Sequence, residues 1–302
     1  MEENTISKIK NIIKKKKVNI FISKKSKRWS SYVCDTITSI FQNKEIYYDI
    51  CKIPNCDIII TNICNRPQHY SKNALNIIIS GESRMATQKY DISISTIKNF
   101  NSHINIYTPL CYLILKELKQ LEQLEQLKND IKARNKFCAF LYSGDYTHRN
   151  NYFNLLSKYK KVDGLGKSCN NIKREFTRNL YNENITYLDE SIKIYSDYKF
   201  VLAIENKLVD GYNTEKIITP LLANSIPIYW GSDSIFNYIN KKRVIYILDF
   251  SSNDDLLNYI KKVNENDTLY NSIISENIFL KNKEPNDIFY EFENKFRNII
   301  IK

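Results

Sequence analysis

The sequence of 302 residues is poor in glycine and proline, with six of each. That scarcity excludes collagen-like and low-complexity disordered classes. Histidine is rarer still, at His69, His103 and His148, and no Cys-x-x-Cys pair occurs. A zinc site and a hydrolytic triad are both poorly supplied by such a set. No apolar run approaches the roughly 18–20 residues that a membrane-spanning helix needs. The opening "MEENTISKIKNIIKKKK" is charged throughout and does not read as a secretory leader. The expectation is a cytoplasmic protein with no signal peptide and no transmembrane segment.

What is present suits a large soluble core. Hydrophobic residues make up 43% of the chain, and tyrosine reaches 22. Lys and Arg number 45 against 33 Asp and Glu, a formal charge of +12. Such a balance favours anionic partners, whether nucleic acid, an acidic membrane face or a phosphorylated substrate. The abundance of Lys, Asn and Ile also fits an AT-rich genome, as of a low-GC bacterium or a large DNA virus. Seven cysteines, Cys34, Cys51, Cys56, Cys64, Cys111, Cys138 and Cys169, read as reduced thiols filling small core positions.

Along the chain, residues 1–17 pattern as a basic amphipathic helix, with Ile6, Ile9, Ile12 and Ile13 at helical spacing. Packing on the domain is one use of that stripe, and peripheral membrane contact is another. Short apolar runs follow at 18–23, 46–51, 56–63, 75–80 and 90–95, continuous as strands covered on both faces are. A helical pattern, "SSYVCDTITSIFQNK", separates the first two. Residues 116–134 are low in complexity and strongly helix-forming. A second alternation opens with "KFCAFLYSG" (136–144), and strands are expected at 198–206, 226–230 and 244–250. Helices are expected from Arg149 to about Lys160, from near Thr214, over "DDLLNYIKKV" and from about Asp287 to Ile300. The predicted organisation is α/β: a domain over 1–115, a helical linker over 116–135, a second domain over 136–283 and a closing helix over 284–302.

One stretch, "ENKLVDGYNTEKIITPLLANSIPIYWGS" (205–232), concentrates polar groups at the entrance to a buried βα unit. Glu205 and Asn206 fall at the carboxyl end of a strand, where open α/β sheets bind ligands. Thr214, Glu215 and Lys216 open the next helix, whose free N–H groups attract phosphate. Lys216 adds a full positive charge, and the Glu215 carboxylate suits the paired hydroxyls of a ribose. The cluster reads as a nucleotide or nucleotide-sugar site. A well-capped helix with a solvated first turn explains the same residues, and on chemistry alone both stand.

The ordered motifs resemble those of glycosyltransferase family 10, the α-1,3/1,4-fucosyltransferases. "YKF…ENKLVDGYNTEKI…NSIPIYWGS" is similar to the family's donor-binding signature, and "VDGLGKSCNN" to a loop upstream of it. "HRNNYFNLLSKYKK" resembles the family's Arg-initiated helix, and "ISGESRMATQKYDISIS" an element of its first domain. The likeness is strong over roughly 136–250 and thin over 1–115. It implies a GT-B-type fold of two Rossmann-like domains facing a central cleft. It also implies GDP-fucose as donor, and as acceptor a glycan or glycoconjugate, with an N-acetylglucosamine or glucose unit in α-1,3-type linkage.

The resemblance further implies roles. Glu82 aligns with the general base, and Arg149 with an arginine on the donor phosphate. Asn206, Tyr212, Glu215 and Lys216 align with donor contacts, supported by Glu205, Thr214, Gly166 and Lys167. The implied reaction is one inverting displacement, in which Glu82 takes the acceptor proton and Arg149 and Lys216 neutralise the departing GDP. No Asp-x-Asp triplet occurs, so no metal or other cofactor is expected to be required. Ile204 and Asn213 depart from the family's aromatic and valine, which bears on the fit of guanine and fucose. Pro220 falls inside the predicted donor helix, where it costs a hydrogen bond and is expected to kink it. Two other readings remain: a GT-B enzyme using another nucleotide sugar, and a basic nucleic-acid-binding protein. Against the second, tyrosines lie in apolar runs rather than interleaved with cations on exposed strands, so no nucleic acid partner is expected.

Overall fold

Continuous Ile- and Val-rich runs, covered on both faces, favour parallel strands, and the chain builds two such sheets. The computed structural model describes residues 2–23, 29–42, 47–50, 56–64, 69–115, 134–172 and 187–301. The chain divides into two units. Unit 1 holds Met1–Glu117, Val209–Tyr212 and Asn282–Lys302, and unit 2 holds Leu118–Leu208 and Asn213–Lys281.

Unit 1 begins with α1 (Glu2–Ile13), β1 (Lys17–Ile22), α2 (Trp29–Gln42), β2 (Tyr47–Ile50) and β3 (Ile58–Asn62). It continues with β4 (Leu75–Ser80), β5 (Tyr90–Ser95), β6 (Ser102–Tyr107) and α3 (Leu110–Leu115). The strands lie in the order β2-β1-β3-β4-β5-β6, every pair parallel. All residues of β4 and β5 are buried. Strand β6 ends the order and is mostly half-buried, so its "SHINIY" lacks the apolar run that marks the others. Helix α1 packs on this unit: Ile9 and Ile12 are buried. Thr5 Oγ1 donates to Asp91 Oδ1 at 3.0 Å, and Lys8 Nζ pairs with Asp91 Oδ2 at 2.9 Å.

Unit 2 runs β7 (Lys136–Phe140), α4 (Thr147–Ser157), β8 (Val162–Gly164), α5 (Tyr187–Tyr195) and β9 (Tyr198–Ile204). Then come α6 (Glu215–Leu222), β10 (Ile226–Trp230), β11 (Ile245–Tyr246), α7 (Asn253–Glu265) and α8 (Asp267–Ile274). Its sheet has the order β11-β10-β9-β7-β8, again wholly parallel. Phe140, Phe200, Leu202, Ile226 and Ile228 form its buried centre. The run at 244–250 yields only the short β11, because Ile247–Asp249 turn into a 3₁₀ segment. An apolar run does not by itself separate a strand from a buried turn. Helix α6 continues two residues past Pro220 and ends at Leu222.

The closing helix α9 (Pro285–Ile301) is part of unit 1 rather than a separate element. Tyr32 explains the docking. Its ring lies 5.9 Å from that of Phe289 and 6.2 Å from that of Phe292, and its hydroxyl donates to Glu293 Oε1 at 2.7 Å. The helical linker expected at 116–135 lies outside the described residues except for Arg134 and Asn135. Among the described residues, no helix is long and apolar enough to cross a membrane.

Candidate active site

A carboxylate at the end of a buried strand must find donors, since leaving it unpaired costs several kcal/mol. Glu205, directly after β9, is 0% exposed. Its Oε1 accepts the Thr214 backbone N–H at 2.7 Å, and Thr214 Oγ1 lies 2.8 Å from Oε2. Lys216 Nζ stands 3.5 Å from the same Oε2. Burial pushes the Glu205 carboxyl above its ordinary range, and the Lys216 charge draws it back. Thr214 is also the N-cap of α6, accepting from Lys216 N. Glu205 therefore ties the strand end to the helix start and presents no surface of its own.

Lys216 Nζ also donates to Thr214 Oγ1 at 3.0 Å and to Glu215 Oε1 at 3.2 Å. Glu215 keeps part of its side chain at the surface. Burial raises its carboxyl, but the Lys216 charge and donated hydrogen bonds outweigh this and hold it below the ordinary range. The first turn of α6 thus offers a carboxylate and an ammonium side by side.

Arg149, on α4, is 3% exposed. Its Nε donates to Ile204 O at 3.2 Å and its Nη2 to Asn206 Oδ1. The guanidinium carbon lies 4.3 Å from the Tyr142 ring centroid and 4.6 Å from that of Tyr146, within cation–π range. Tyr142 fixes the strand beneath. Its hydroxyl donates to Leu202 O at 2.9 Å and accepts Ile204 N–H at 2.6 Å. Burial pushes that phenol up to about 12. His148 adds a contact at 3.0 Å between Nε2 and Glu205 O, and its ring lies 4.9 Å from that of Trp230. Tyr142 and His148 escape sequence reasoning, since only the folded backbone brings them to the end of β9.

The structure therefore gathers Arg149, Glu205, Asn206, Thr214, Glu215 and Lys216 around one strand end. The loop after β8 packs beside them. A Cβ on Gly166 would lie 2.1 Å from Tyr142 O, which leaves room for glycine alone. Ser168 N–H donates to the same carbonyl at 3.0 Å, while Lys167 is exposed. Glu82 and Tyr212 belong to unit 1. Tyr212 is buried there, and Gly211 before it adopts φ +87°, a conformation suited to glycine. Glu82 follows β4, half-buried, with Cys64 Sγ 3.6 Å from its Oε1. The two departures from the family pattern prove to be core positions. Ile204 is 0% exposed, and Asn213 is buried with its Nδ2 donating to Tyr229 Oη at 2.8 Å and Ser232 O at 2.9 Å.

The site-bearing unit matches the model of the glycosyltransferase family 10 (fucosyltransferase) C-terminal domain over residues 131–277. The matched region spans β7 to α8 and includes Arg149, Asn206, Glu215 and Lys216, but not Glu82. A protein of Acanthamoeba polyphaga mimivirus, named as a candidate fucosyltransferase, is 40% identical over 280 residues, 93% of this chain and 46% of the relative. The α-(1,3)-fucosyltransferase B of Drosophila melanogaster is 36% identical over 127 residues, 41% of this chain and 28% of that protein. This chain thus spans less than half the length of either relative. A crystal structure of an α1,3-fucosyltransferase with GDP-fucose superposes with a TM-score of 0.66 at 21% identity, covering 94% of this chain and 90% of that one. The fold is of the GT-B type, with two Rossmann-like α/β units.

Proposed function

We propose that this chain is an inverting fucosyltransferase, moving L-fucose from GDP-fucose to a hydroxyl of an acceptor glycan. The observation that carries the reading is the convergence of Arg149 and Lys216 at the end of β9, inside the region matched by the family model. The names of the mimivirus and Drosophila relatives support it, as does the GDP-fucose held by a protein of the same fold.

In this reading the diphosphate sits against Arg149 and the first turn of α6. Arg149 Nε and Nη2 are used by Ile204 and Asn206, and Nη1 is left for a phosphate oxygen. Glu215 receives the ribose hydroxyls. The acceptor oxygen attacks the anomeric carbon while the bond from that carbon to the phosphate oxygen breaks. Glu82 takes the hydroxyl proton, which requires hydrogen-bond reach of that oxygen. The leaving GDP gains negative charge, and preorganised cations stabilise it without reorganisation. No metal is needed, because Arg149 and Lys216 supply the charge. The acceptor unit is N-acetylglucosamine or glucose, in α-1,3-type linkage.

The buried positions of Ile204 and Asn213 remove them as arguments for a different nucleotide sugar. The test is transfer. With EDTA present, proton NMR of GDP-fucose mixed with N-acetyllactosamine and lactose should show a fucosylated product of inverted anomeric configuration. A product of retained configuration would reject the single displacement. Consumption of a UDP sugar in place of GDP-fucose would transfer the site to another donor.

A further inference from the structure

Far from the nucleotide-facing strand ends, two arginines lie inside unit 2. Arg134 is 8% exposed and Arg243 is 1% exposed. Both reach the carboxyl end of α6. Arg134 Nη2 donates to Ala223 O at 2.7 Å, and Arg243 Nη2 donates to Asn224 Oδ1 at 2.9 Å. Arg243 Nη1 donates to Ile273 O, in the last turn of α8, at 3.2 Å. Yet Arg134 Nε, Arg134 Nη1, Arg243 Nε and Tyr270 Oη are buried and make no well-aligned hydrogen bond among the described residues. Tyr270 feels the charge of both guanidiniums, and its hydroxyl lies within hydrogen-bonding reach of Arg134.

Among the described residues the charges do not balance. The two guanidiniums contribute two positive charges. Arg243 still carries its proton at neutral pH, because burial lowers its value only to about 10. A helix carboxyl end carries roughly half a negative charge, and α6 and α8 together offset about one. The carboxylate whose field reaches Arg243 is Glu276. It is 36% exposed and already engaged, with Oε2 on Asn240 Nδ2 at 3.1 Å and Oε1 on Lys242 Nζ at 3.5 Å. Among the described residues, about one positive charge is left over at this buried place. Water would satisfy the orphan donors but not that charge, and an unpaired buried charge is costly.

We propose that Arg134, Arg243 and Tyr270 enclose a buried monovalent anion, of halide or nitrate size, at the carboxyl end of α6. The anion accepts from Arg243 Nε, from one of the two orphan nitrogens of Arg134, and from the Tyr270 hydroxyl, while the other Arg134 nitrogen faces Tyr270 Oη. It anchors the far end of the helix whose first turn carries Glu215 and Lys216. This inference is independent of the donor and of the transfer reaction.

The test uses the full chain at fixed ionic strength. The melting temperature should rise saturably with chloride, bromide or nitrate replacing gluconate, and Arg134→Met should abolish that rise. Wild-type crystals grown in bromide should show an anomalous peak between the two guanidiniums, which keeps the test decisive even where Arg134→Met does not fold. Equal melting temperatures in all salts at matched ionic strength, or a bromide crystal with no peak at this place, would overturn the proposal.

Discussion

Lys216 Nζ lies 3.5 Å from the Oε2 of Glu205, a carboxylate with no exposed surface. The pair joins strand β9 to the first turn of α6. It also explains why so many polar residues crowd into 205–216. In the proposed reading some face the donor, and others hold those that do. Glu205 belongs to the second group.

Replacing Glu205 by Ala should therefore damage the fold before it damages chemistry. Thr214 N–H and Thr214 Oγ1 would lose their acceptor, and Lys216 Nζ would lose one of its two carboxylate partners. Breaking a buried pair by removing one partner costs about 3–5 kcal/mol. Urea unfolding of Glu205→Ala should show that loss, and a loss under about 1 kcal/mol would show that water replaces the carboxylate.

Arg149→Lys keeps the charge and should still fail. A lysine cannot reproduce the fork that grips Ile204 O and Asn206 Oδ1. Displacement of a fluorescent GDP analogue should report at least about tenfold weaker binding, equivalent to about 1.4 kcal/mol. Unchanged affinity would show that Arg149 serves only to brace the end of β9.

Glu82→Gln should separate binding from transfer. The residue follows β4 and lies outside the region matched by the family model. GDP affinity should stay within twofold, while the transfer rate falls by about 10²–10⁴. Full activity in this variant would remove Glu82 as the base.

Asp91 gives a pH dependence to unit 1. Burial raises its carboxyl, but the Asn76 backbone N–H and Lys8 outweigh burial and hold it below the ordinary range. A depressed folded value means that the native state binds fewer protons than the unfolded chain through that window. Stability from Asp91 is then complete above the unfolded value of about 3.9 and is lost as pH falls through the folded value. Denaturant unfolding should show Asp91→Asn destabilised near neutral pH, with the gap to wild type closing toward pH 3. A gap that stays constant with pH would show that Asp91 contributes by shape alone.

The sequence made the buried architecture readable because parallel strands write themselves as apolar runs. Strands β4, β5 and β10 fall where "LNIIIS", "YDISIS" and "IPIYW" place them. The edge strand β6 was not legible, because a half-buried edge loses the signal. Helix α8 is short and followed closely on α7, so its Asn266 cap, which accepts from Leu269 N–H, is the sign that could have revealed it. The docking of α9 on unit 1 depends on Tyr32 meeting Phe289 and Phe292 across 257 and 260 positions of sequence. At the site, helix-start chemistry exposed Thr214, Glu215 and Lys216. Tyr142 and His148 were hidden because their partners are backbone atoms of another strand, and a carbonyl carries no sequence.

The measurement that bears most directly on the account is calorimetric titration of GDP-fucose into the chain in EDTA, beside UDP-N-acetylglucosamine. The account predicts saturable binding of GDP-fucose, weakened at least about tenfold in Lys216→Ala, and none of the UDP sugar. Binding of the UDP sugar without binding of GDP-fucose would contradict it.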